Sequence, residues 1–144
     1  MYCSKADIIS RRLTETLLIQ LTDDQEYGVA DDKVVNDAIS EAGEIIDGYL
    51  RKRYPLPLST VPGLLRNLAV DLAVYALYGR GRCGTPERVT TDRDNAVKLL
   101  GKIQSGDVVL GVSDPATKAA TEGPEAMQVA TPGRTFGPDT LEQY

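Results

Sequence analysis

The sequence predicts an all-α fold, a small helical bundle with a short extended segment and a long extended C-terminal arm, and three observations carry that prediction. Apolar residues recur at spacings of three and four from about Asp32 to Arg53. The stretch from Leu64 to Tyr78 is apolar around most of its circumference, the mark of a central helix. A third stretch, Pro86 to Ser105, again shows one apolar stripe. Residues 1–112 are therefore expected to form a helical domain and residues 113–144 an extended arm.

In chain order, Ser4 is placed to cap a short first helix, with Asp7 three residues on in a near capping-box arrangement and Ile8, Ile9 and Leu13 on its apolar side. "ETLLIQL" reads as a second short helix. The acidic loop "TDDQEYGVADD" leads into the clearest amphipathic helix. There Val34, Val35, Ala38, Ile39, Ala42, Ile45, Ile46, Tyr49 and Leu50 recur at spacings of three and four, and Asp37, Glu41, Glu44 and Asp47 fall on other faces. Arg51, Lys52 and Arg53 are expected in its last turn, complementing the helix dipole. Pro55 and Pro57 then stop the helix, and "YPLPL" leaves as a short stiff strap.

Thr60 and Pro62 restart a helix with Pro near its first turn, where no amide donor is lost. "GRGRCG" turns the chain into a last helix, expected to be capped by Thr85, striped by Val89, Ala96, Leu99, Leu100 and Ile103, and ended near Ser105 and Gly106. "DVVLGV" reads as one strand or an extended segment. From Ser113 onward Ala, Thr, Gly, Pro and charge predominate, a composition that does not order itself without a partner.

Charge is segregated along the chain. Residues 1–50 carry 4 Lys or Arg against 11 Asp or Glu, residues 51–105 carry 10 against 4, and residues 106–144 carry 2 against 6. An acidic first third beside a basic middle suits a protein that meets copies of itself through complementary patches, although solvated helix faces give the same counts. With no His, the commonest general base and metal ligand are missing, so enzymatic function is not expected. Cys3 and Cys83 form no framework and read as reduced thiols. No apolar run approaches the roughly 20 residues of a membrane span, and the N-terminus lacks a signal-peptide core, so no membrane contact and synthesis in the cytoplasm are expected.

Three motif matches give way to simpler readings. Gly79, Gly81 and Gly84 fit G-x-G-x-x-G, but a helix enters the turn where the dinucleotide fingerprint needs a strand. The loop from Asp23 has calcium-loop spacing with Gly28 sixth and Asp31 ninth, yet Tyr27 and Val34 stand where ligands belong. The expected role is a turn whose Asp31 or Asp32 caps the next helix. Asp92 and Asp94 point to different sides of a helix and read as a solvated face. No cofactor and no metal are expected.

The segments "MYCSKADIISR", "LIQLTDDQEYGVADD", "IDGYLRKRYPLPLSTVPGLLRNLAVDLAVYALY", "AVKLLGKIQSGDVVLGV" and "RTFGPDTLEQY" together resemble the Mu-like phage head-tail adaptor family over nearly the whole chain. The resemblance implies an all-α head-completion protein of the virion neck, made in the bacterial host cytoplasm. Its implied partners are further copies of itself in a closed ring, expected to be dodecameric, the portal protein, and a tail-side connector or terminator. DNA is implied to pass through the channel without sequence-specific binding. Arg51, Lys52, Arg53 and Tyr54 are the expected partner-interface residues in the domain, and Arg134, Phe136, Leu141 and Tyr144 those in the arm. The alternative reading is a small nucleic-acid-binding regulator using the basic middle, including the "GRGRCG" arginines.

Overall fold

A computed structural model describes residues 1–112. They form five helices and, among the described residues, no strand: α1 (Lys5–Arg11), α2 (Glu15–Thr22), α3 (Asp32–Leu50), α4 (Gly63–Gly79) and α5 (Glu87–Ser105). The all-α expectation therefore holds for this part of the chain. The C-terminal arm expected over residues 113–144, with Arg134, Phe136, Leu141 and Tyr144, lies outside the described residues.

Helix starts follow local chemistry. Ser4 and Asp7 complete a reciprocal capping box: the Asp7 amide donates to Ser4 Oγ, and the Ser4 amide donates to the Asp7 carboxylate at 2.9 Å. Thr14 caps α2 by accepting from the Leu17 amide at 3.3 Å, and Asp31 caps α3 by accepting from the Lys33 and Val34 amides. The start of α5 differs from expectation. Pro86, not Thr85, is its N-cap, in extended conformation at ψ 144°, so the helix begins one residue later and has no side-chain cap.

α4 is the centre of the bundle. Leu65, Leu68, Ala69, Val70, Leu72, Ala73, Val74 and Leu77 are all buried, so its periphery is covered by neighbours rather than by water. α3 and α5 pack against it and against each other, and α1 and α2 close the remaining side. From α3 come Val35, Ile39, Ala42, Ile46 and Leu50, and from α5 Ala96, Leu100 and Ile103. Each fully buried Leu or Ile here contributes about 1.5–3 kcal/mol relative to an exposed one.

One segment corrects the sequence expectation, and a second decides between two readings. α3 ends at Leu50, and residues 51–53 form a turn beyond it, closed by the Arg53 and Tyr54 amides donating to the Leu50 carbonyl at 2.9 Å each. The basic cluster therefore does not occupy the last turn of α3. Of the two readings of "DVVLGV", the strand is not formed among the described residues. Instead Val108, Leu110 and Val112 lean on the core, and the Leu110 amide donates to the Tyr54 hydroxyl at 3.2 Å. The Leu56–Pro57 peptide in the strap is cis.

Candidate interaction surface

The basic turn is built where two chain segments meet. Tyr54 is 2 % exposed, and its ring is part of the core. This corrects its expected place at a partner surface: Tyr54 anchors the turn from inside. Arg53 is half-buried, and its guanidinium lies over Gly106 so closely that a Cβ on that residue would fall 1.8 Å from Nη1. Gly106 has φ +95° and ends α5, its amide donating to the Lys102 and Ile103 carbonyls. Arg53 thus brings positive charge to the negative end of the α5 dipole, not to that of its own helix. Arg51 and Lys52 are exposed at this junction.

The acidic loop at the other end of α3 is knitted together from within. Asp23 accepts from the backbone amides of Gln25, Tyr27 and Gly28, the last at 2.6 Å, and partial desolvation is outweighed by these bonds so that its carboxyl is held below the usual range. Asp24 is clasped by Arg80 and Arg82, and the Arg80 hydrogen bond is the main reason its carboxyl is depressed too. Arg80 also donates to the Leu21 carbonyl at 3.1 Å, and Arg82 to that of Asp23. Both arginines of "GRGRCG" are therefore tied to the acidic loop, about 60 residues earlier in sequence. With Asp31 capping α3, the three aspartates at calcium-loop positions or beside them are engaged inside the fold. Among the described residues no cluster of acidic or thiol groups is arranged to hold a metal.

A cavity of about 220 Å³ opens between α2, α4 and α5, floored by Leu13, Leu17, Val74, Tyr78 and Val89. Its rim carries two ion pairs: Arg12 holds Asp71 through two nitrogens at 2.5 and 3.3 Å, and Arg88 faces Asp92 at 3.6 Å. Desolvation raises the Tyr78 phenol. The rim charges are thus matched in pairs above a largely apolar floor.

The outer faces of α3 and α5 are different. Asp37, Glu41 and Glu44 are exposed on α3, and Lys98 and Lys102 are exposed on α5. Among the described residues none of these five makes an ion pair. From the sequence alone the α3 acids counted only as a wet face and the two lysines were not singled out. The available signal was their like-charge spacing of three and four, which opposes helix stability rather than supporting it.

A family profile described as "Bacteriophage Mu, Gp36" matches residues 2–129. The chain is 30% identical over 144 residues to "Mu-like prophage FluMu protein gp36" of Haemophilus influenzae, covering 100% of this chain and 98% of the relative. It is also 30% identical over 135 residues to "Gene product J" of Escherichia phage Mu, covering 94% of this chain and 93% of that protein. Among the described residues no helix is long and apolar enough to cross a membrane. With the profile spanning most of its length and both relatives aligned nearly end to end, the chain belongs to the phage Mu Gp36 family.

Proposed function

We propose that this protein is a head-tail adaptor of the virion neck, a structural part and not an enzyme, which forms a ring between the portal and the tail-side connector and leaves a channel for DNA. The observation that carries the reading is the distribution of charge in a phage-family helical domain. Charges that serve the fold are matched within it, while an acidic face and a basic face have no ion-pair partner among the described residues. A closed ring needs two such different surfaces on every subunit.

The rival reading, a nucleic-acid-binding regulator, loses its support at Arg80 and Arg82. Their guanidinium groups are bound to Asp24 and to backbone carbonyls, and presenting them to phosphate means breaking those contacts first.

Virions assembled with and without this chain test the proposal. The expected result is multiple copies in the neck by imaging and mass spectrometry, and DNA-filled heads lacking tails when the chain is removed. Normal tailed particles without the chain overturn it. So does strong, salt-sensitive binding of the isolated protein to duplex DNA coupled to its absence from virions.

A further inference from the structure

The outward faces of α3 and α5 carry opposite charge that is not paired among the described residues. Asp37, Glu41 and Glu44 are spaced by four and three, which aligns them on the side of α3 away from Val35, Ile39 and Ile46. Ile45, 38 % exposed, lies beside them and gives the stripe an apolar margin. Arg80 lines a shallow groove with Asp37 and Glu41, but its guanidinium is held by Asp24 and the Leu21 carbonyl. Among the described residues the stripe therefore forms no ion pair.

On α5 the charges of the first half are paired in place, Arg88 with Asp92 and Arg93 with Asp94 at 2.8 Å, with Arg93 also stacked over Tyr75 at 5.3 Å. Lys98 and Lys102 in the second half have no such partner among the described residues, and the Arg53–Gly106 contact sets Arg51 and Lys52 at the same end. The contrast within one helix separates charges used by the fold from charges left over. Both patches lie on the sides of α3 and α5 turned away from the buried residues of those helices.

We infer that the α3 stripe of one copy docks against the Lys98–Lys102 face and the Arg51–Lys52 turn of the next copy, a head-to-tail contact that repeats around the ring. The occupant is a second copy of this chain because the two patches are complementary in sign, similar in helical spacing and present once each per subunit. The inference rests on the ring assembly proposed above and specifies its interface. Exposed pairs are individually weak, so the contact is salt-sensitive and is expected to be sparsely populated in free solution.

The test uses the full-length protein at high concentration and low salt, with isotopically labelled and unlabelled copies mixed, and a carbodiimide that joins carboxylates to lysines in contact. The expected products link Asp37, Glu41 or Glu44 of one copy to Lys98 or Lys102 of another. A variant with Asp37→Lys, Glu41→Lys and Glu44→Lys, and a second with Arg51→Glu, Lys52→Glu, Lys98→Glu and Lys102→Glu, are each expected to lose self-association while keeping helical circular dichroism. Mixing the two variants restores association, since the reversed face of each now matches a face of the other. Intermolecular links that map elsewhere, undiminished association of either folded variant, or no rescue on mixing overturns the interface. Those outcomes leave the adaptor proposal standing, because that proposal fails only on the composition and morphology of virions. Should a variant unfold, the wild-type crosslink map alone decides.

Discussion

The acidic loop and the outer face of α3 have similar compositions and opposite fates. In the loop, Asp23, Asp24 and Asp31 are spent on amides and arginines of the same chain, so their removal is felt by the fold. On α3, Asp37, Glu41 and Glu44 touch no cation among the described residues, so their removal is felt by whatever lies outside. Equal counts of carboxylates therefore say little about interaction. The informative quantity is which charges remain after the internal pairs are subtracted.

Breaking the most buried internal pair is expected to have the largest effect. Asp71 is 9 % exposed in the middle of α4, so Arg12→Ala strands its carboxylate and should cost about 2–3 kcal/mol in denaturant unfolding, with Arg12 discounted for its partial exposure. Gly106→Ala comes next. A side chain at φ +95° is strained and also meets the Arg53 guanidinium, and a loss of about 1–2 kcal/mol is expected, part of it relieved by Arg53 swinging away. Arg80→Ala removes the bonds to Asp24 and Leu21, and about 1 kcal/mol should be lost, with faster amide exchange at Gly28 and Tyr27 as the local readout.

A pH titration sharpens the same contrast. The Asp24 carboxyl is depressed chiefly by its hydrogen bond to Arg80, so its contribution is complete above the unfolded carboxylate value of about 3.9 and is lost as pH falls through the lower folded value. The Gly28 amide, which donates to the similarly depressed Asp23, should lose protection only below about pH 4. The smallest effect is expected from Glu41→Gln and Lys98→Gln. Each should move stability by less than about 0.5 kcal/mol, and a larger loss would mean that these residues belong to the internally tied class.

Much of the fold is legible in the sequence because it is encoded within one or two helical turns. Ser4 with Asp7, Asp31 before α3, the stripe from Val35 to Leu50 and the all-round apolar surface of α4 are local patterns with local causes. The bond of Arg80 to Asp24 and the contact of Arg53 with Gly106 are not legible, since each joins residues more than fifty apart. For the same reason Tyr54 looked like part of a surface cluster with its basic neighbours. Its ring follows the turn inward, where the hydroxyl meets the Leu110 amide. The candidate surface was half visible: Arg51 and Lys52 stood out as a run, whereas Lys98 and Lys102 become conspicuous only when their neighbours on α5 are seen to be paired.

The bond between Tyr54 and Leu110 also works as a latch. It holds the backbone after α5 against the turn that follows α3, so two segments more than fifty residues apart are fastened at one corner of the domain beside Arg51 and Lys52. Tyr54→Phe should keep the core ring and lose only the amide contact. Faster exchange of the Leu110 amide, with little change in melting temperature, would be the signature of that latch.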